Sequence, residues 1–179
     1  MREIQSSPAA LIPTRQYQLA EVRVFGEVVE KFERFGTSTA IYASNLAEDR
    51  ADLWVDLLNV QQLLQLDVNP WVVGGDFNQI HHFAEHSNPL VNHIDPPMTD
   101  FRNTLTQLSL FDLRYSGPCF TWSNKSPTNP IAKKLDRLLV NQPWIASYPH
   151  SLASFLAPEI SDHSPNVLDL AVDLVFINL

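Results

Sequence analysis

The sequence predicts a domain that layers helices on β-sheet, and three observations predict it. A β-branched stretch, a helical stretch and a short apolar run ending in glycines follow one another between residues 37 and 75, the succession of layered α and β domains. After Asp112 come several strand-length pieces separated by turn residues. Finally, 179 residues, 45% of them hydrophobic and 18% charged, can bury one apolar core but not two comfortable ones.

Residues 1–16 read as an irregular lead-in and residues 17–179 as the domain proper. The alternation of Tyr17, Leu19, Val22 and Val24, then Val28, suggests extended chain that pairs as a hairpin around Gly26. Residues 37–43 (TSTAIYA) are β-branched and small, as a strand requires. In the helix that follows, Asn45 and Glu48 have the spacing of a capping box, and Trp54, Leu57, Leu58 and Leu64 recur at helical spacing to an end near Leu66. Residues 70–74 (PWVVG) read as a buried strand that stops at a tight glycine turn. Pro96 and Pro97 precede a second helix with Phe101, Leu105 and Leu108 on one face, proline being tolerated in a first turn. Strand-like pieces at 119–122, 134–140, 152–156 and 166–172 complete the chain, and 126–130 is a Pro-rich loop.

Composition narrows the functional classes. Twelve basic against twenty acidic residues give a net charge of −8, which argues against passive coating of nucleic acid or anionic membrane by a basic surface. Carboxylates that hold a divalent cation would still allow an acidic protein to act on phosphates. No apolar stretch approaches the roughly 18 residues of a bilayer span, so no membrane partner is expected. Pro8 and Pro13 interrupt any signal-like stretch, so the nucleus or cytoplasm is the expected compartment. The single cysteine, Cys119, excludes an intramolecular disulfide, and its neighbours Pro118, Phe120 and Trp122 point to packing.

Three constellations carry chemistry: Gly74-Gly75-Asp76-Phe77-Asn78 after an apolar strand, Leu135-Asp136-Arg137 within one, and Ser161-Asp162-His163-Ser164-Pro165 before the last. Each places a carboxylate at or near a strand end, where open sheets bind ligands. Asp76 and Asn78 could simply shape a turn; functionally, the glycines admit a close substrate while Asp and Asn offer it an acceptor and an amide donor. Asp136, in an apolar strand, needs a partner, and either Lys133, Lys134 or Arg137 or else His163 would serve. His163 beside Asp162 could be an acid or base next to a hard-cation ligand. His81, His82, His86, His93 and His150 show no metal-ligand spacing, so zinc is not expected.

In this order, GGDFN, FTWSN, KLDRLLVN with Trp144, and SDHSP resemble the C-terminal part of the endonuclease/exonuclease/phosphatase superfamily. They are most similar to the endonuclease domain of plant LINE-type non-LTR retrotransposons and its domesticated copies. AIYASN, with Arg50 and Trp54 in RADLW, and Glu85 after GDFN also fit, over roughly residues 37–169. The resemblance implies an α+β sandwich of two mixed β-sheets flanked by helices, incomplete at the N-terminus. It implies a catalytic set of Tyr42 and Asn78 on the scissile phosphate, Asp76 on the attacking water, and Asp136 orienting His163. Asp162 would be associated with the metal, and Asn78 and Trp122 with the substrate. It further implies Mg²⁺ or Mn²⁺ as cofactor and DNA as partner.

The strand-borne Asn and the metal-binding Glu that this superfamily carries ahead of its tyrosine are not recognisable, Glu3, Glu21 and Glu27 lacking the context. The chain is therefore read as an N-terminally truncated copy whose metal binding and turnover are weak or absent, and whose exposed sheet edge invites self-association. Two other readings stand beside it: a noncatalytic remnant or interaction module, and a phosphoinositide-type phosphatase of the same superfamily. Against the latter, the chain has no membrane-directed basic helix.

Overall fold

A computed structural model describes residues 36–171; the expected lead-in and the hairpin around Gly26 lie outside the described residues. Strand β1 (Thr37–Tyr42) runs parallel to β2 (Trp71–Asp76), and parallel neighbours need a crossover, here helix α1 (Ala47–Leu63). β7 (Asp136–Val140) lies antiparallel to β2 and to the short β3 (Phe111–Asp112), giving the order β1-β2-β7-β3. A second, three-stranded sheet is ordered β4 (Tyr115–Ser116), β8 (Leu152–Phe155), β9 (Asn166–Asp169). β5 (Trp122–Ser123) and β6 (Ala132–Lys133) form a separate ribbon. Helices α2 (Pro96–Gln107) and α3 (Gln142–Ser147) complete the fold. Mixed sheets with flanking helices are the sandwich that the family resemblance implies.

The middle strand β7 is buried along its whole length, so its two alternating rows serve two different layers. Leu139, with Val73 of β2, packs under the helices against Trp54, Leu57 and Phe101. The Trp54 and Phe101 rings stack at 4.7 Å, and Phe77 tilts against Phe101 at 5.4 Å. Leu138 and Val140, with Val72, face the second sheet through Leu113, Ala153 and Phe155, and Trp144 of α3 joins them. Asn141 fastens this layer. Its side chain accepts from Trp71 N and Trp144 N and donates to Leu66 O and Asn69 O, capping α3 while tying it to the entry of β2.

Several local expectations are corrected. No capping box forms at α1: the N-cap is Leu46, and Ser44 Oγ accepts Leu46 N–H while bonding Asp49, which leaves the Asn45 side chain free to turn toward Asn78. The helix stops at Leu63, short of Leu66, where Gln65 takes a positive φ of 52°. β2 runs through its glycines instead of turning at them. Gly75, at φ +133°, lies against β1 so closely that a Cβ would stand 2.0 Å from Ile41 O, and the strand reaches Asp76 only because no Cβ is there. Asp95, unmarked in the sequence reading, caps α2 by accepting from Met98 N at 2.8 Å, and both prolines sit inside the first turn. The strand expected at 119–122 is only Trp122–Ser123, and Cys119 is exposed instead of packed. β7 starts at Asp136, two residues later than expected, and β8 and β9 stop at Phe155 and Asp169.

Candidate functional site

Register brings the first carboxylates together. Asp76, the last residue of β2, is the Cα partner of Tyr42 on one side and of Asp136 on the other. Behind Asp136 stands Thr121, buried, whose Oγ1 accepts the Leu135 and Asp136 N–H groups at 3.0 and 2.8 Å. The same stretch holds the chain that carries the histidine: Ser164 N donates to Thr121 O at 2.7 Å, Ser123 N to Asp162 O at 3.0 Å, and Trp122 bridges to His163. FTWSN and SDHSP are thus two edges of one backbone ladder.

His163 Nδ1 lies 2.9 Å from Asp136 Oδ2 and 3.2 Å from Oδ1, and Nε2 lies 4.0 Å from Asp76 Oδ2. Asp136 therefore pairs with the histidine; Lys134 and Arg137 turn instead to Asp112, at 3.1 and 2.8 Å. Burial pushes the pKa of Asp136 up, and its hydrogen bonds to His163 and Thr121 oppose this without cancelling it. Asp76 is likewise raised by burial, against the lowering hydrogen bond from Asn78 N. Burial alone would lower the His163 pKa, but the Asp136 hydrogen bond and the charges of Asp136, Asp76 and Asp162 outweigh it and raise it. An imidazolium set among carboxylates can hold a proton where an anion would develop, and Asp76 beside it can take one.

Tyr42, Asp76, Asn78, Trp122, Asp162 and His163 all line one cleft of about 760 Å³, with Asp136 supporting His163 from behind. Tyr42 is 74% exposed, so its ring is available to a ligand. Asp162 is held by Trp122 Nε1 at 2.9 Å, a bond that also lowers its pKa. Asn78 commits its amide N–H groups to Ala43 O, at 3.4 Å, and to Asn45 Oδ1. Asn45 Nδ2 is then free to donate to a ligand in the cleft that both residues line. Sequence reasoning missed Asn45 in this role, as well as Lys133 and His86 on the cleft wall; Arg50 was visible in RADLW, and it clamps the loop by donating to Ser44 O, Asn45 O and Gln79 Oε1.

Two groups of side chains place metal-ligand atoms within 4.8 Å of one another among the described residues: Asp76, Asp136 and His163, and separately His81, Glu85 and Asp112. The second is answered by the protein's own cations, because Arg137, 0% exposed, pairs with Glu85 and Asp112 while Lys134 pairs with Asp112. The first opens on the cleft. Magnesium takes oxygen ligands octahedrally, usually one or two carboxylates with waters and substrate phosphate. Asp162 also lines the cleft, although it lies outside that group, and its carboxylate is the kind of oxygen ligand such an ion takes.

A profile of the Endonuclease/Exonuclease/phosphatase family matches residues 7–163. Among solved structures, the endonuclease domain of TRAS1, a telomere-specific non-LTR retrotransposon, is similar at 14% identity with a TM-score of 0.53, over 75% of this chain and 56% of that one. Beta toxin from Staphylococcus aureus is similar at 15% identity with a TM-score of 0.50, over 74% of this chain and 50% of that one. The chain thus spans about half the length of the solved structures it matches. No curated protein matches.

Proposed function

Because the chain belongs to the endonuclease/exonuclease/phosphatase family, we propose that its cleft hydrolyses phosphodiester bonds, with DNA as the substrate and a retroelement endonuclease as its origin. The observation that carries this reading is the Asp136–His163–Asp76 row opening on a cleft that also holds Asn78, Tyr42 and Asp162. The role of each residue follows from its surroundings. Asp76 aligns water for in-line attack and accepts its proton. His163, its Nδ1–H donated to Asp136, presents a protonated Nε2 to the phosphate oxygens as charge builds on them. Asn78 shapes the phosphate seat through Asn45, and Tyr42 and Trp122 flank the substrate.

Asp162, together with a substrate phosphate, would hold Mg²⁺ or Mn²⁺, which would neutralise phosphate charge in such chemistry. A single carboxylate is the lower end of what magnesium uses, so we propose weak turnover. The nucleus or cytoplasm remains the proposed compartment; no described helix is long and apolar enough to cross a membrane. The test is nicking of supercoiled plasmid by the purified chain with Mg²⁺, with EDTA, and with His163→Ala. Nicking by the wild type with Mg²⁺ alone is expected. Equal signals in all three overturn the reading.

A further inference from the structure

Four residues that line the cleft are neighbours across consecutive backbone pairings. His163 pairs with Trp122, Trp122 with Lys133 across the β5–β6 ribbon, and Lys133 with His86. Register partners in antiparallel chain point their side chains to the same face, about 5 Å apart. The four therefore form a single row, roughly 15 Å from end to end, that starts at the proposed reacting centre and leads away from it. Lys133 Nζ sits 5.7 Å from the centre of the Trp122 ring, and no carboxylate pairs with it among the described residues. His86 Nδ1 accepts the Asn88 N–H at 3.0 Å, which places the ring proton on Nε2 as a donor.

We propose that Lys133 and His86 form a second phosphate subsite, which binds the phosphate flanking the scissile one on the same polynucleotide strand, with Trp122 beneath the intervening nucleotide. The proposal rests on the phosphodiesterase reading and adds to it the place where a second phosphate of the strand is held. The charges of a nucleic-acid strand repeat every ~3.4 Å along a B-form axis, so a row of roughly 15 Å faces more than one phosphate, whereas an isolated diester occupies only one end. An aromatic ring beside a cation is also how proteins hold single strands, through stacking and backbone charge together. Lys133 brings an unpaired positive charge to a cleft that Asp76, Asp95 and Asp162 also line, a local attraction for an anionic strand in a chain of net charge −8. Burial, followed by the charge of Lys133, lowers the His86 pKa, so the imidazole acts as a neutral donor and Lys133 carries the charge.

The experiment is the salt dependence of binding, by fluorescence anisotropy in EDTA, of a labelled single-stranded oligodeoxynucleotide to wild type, Lys133→Ala, Lys133→Arg and Lys125→Ala. Lys125 lies outside the cleft lining and donates to Ile160 O. Lys133→Ala should flatten the slope of log K against log salt by about 0.7, the value for one phosphate contact to a single strand. Lys133→Arg should restore the slope, and Lys125→Ala should keep that of wild type. An unchanged slope in Lys133→Ala overturns the subsite while leaving hydrolysis to be judged by nicking. Wild type that cleaves a small synthetic diester but does not bind the oligonucleotide overturns it too. A Lys133-dependent slope in a protein that cleaves no diester upholds the subsite and overturns the hydrolytic reading instead.

Discussion

Asp136 does its work through another side chain. Its carboxylate accepts from His163 Nδ1 and is itself placed by Thr121, so exchanging it for an amide keeps the volume while removing the charge that holds the imidazolium. Asp136→Asn should lower the nicking rate by up to about 10²–10⁴-fold, the range for proton-transfer catalysis by the histidine it positions. It should also move the alkaline limb of the pH–rate profile to lower pH. The sign follows from the contacts: Asp136 raises the His163 pKa, so without it His163 loses its proton earlier as pH climbs. Much of this residue-level picture could be read in advance. Asp76, Asn78, Asp136, Asp162 and His163 stand out because carboxylates and a histidine interrupt apolar or turn sequence. Asn45 did not stand out, because it looks like an ordinary helix cap and its bond to Asn78 spans 33 positions. Thr121 was hidden for a similar reason, since nothing local shows that its hydroxyl receives two strand N–H groups.

Among the elements, β7 and the loop after β2 are joined by a charge cluster that no local pattern announces. Arg137 reaches Glu85 on the short 3-10 turn Phe83–Glu85 and Asp112 on β3, so one side chain links three segments beside the site. Arg137→Ala would take from Glu85 and Asp112 the buried cation they share, leaving them to His81 and Lys134, and breaking such a pair costs about 3–5 kcal/mol, to be read from urea unfolding. The cluster also predicts acid sensitivity. Burial would raise the Asp112 pKa, but bonding to His81 and the charges of Arg137 and Lys134 drive it well below the ordinary carboxylate value. A depressed folded-state pKa contributes stability that is complete above the unfolded value, about 3.9, and is lost as pH falls below it. Wild type should therefore lose stability below about pH 4 more steeply than Asp112→Asn. Helices α1 and α2 were legible because apolar spacing over ten or more residues is hard to mistake, and the five- and six-residue strands because β-branched or apolar runs mark them. The ribbon strands β5 and β6 are two residues long, and two residues carry no periodicity.

For the molecule as a whole, the acidic balance and the cleft make one joint prediction. A divalent ion bound by the folded chain alone stabilises it by mass action, about 1.4 kcal/mol at ten times the dissociation constant. The thermal midpoint should therefore rise with Mg²⁺, fall back with EDTA, and fail to respond in Asp162→Asn. A rise that persists in that variant would mean general screening of a chain of charge −8. The layering of helices on sheet was legible from strand–helix–strand order and the two-sheet sandwich from the family resemblance, whereas the sheet that β4, β8 and β9 form depends on pairings up to 38 positions apart. One arrangement in that whole has a bearing on errors. Asp136 and Arg137 are consecutive, and they face a histidine in one layer and two carboxylates in the other. A β7 misaligned by one residue would set Arg137 toward the imidazole and Asp136 among Glu85 and Asp112, like charge against like on both faces. The charges of two consecutive residues thus favour one alignment of β7 over its nearest neighbours, a second lock on register beside the apolar pattern.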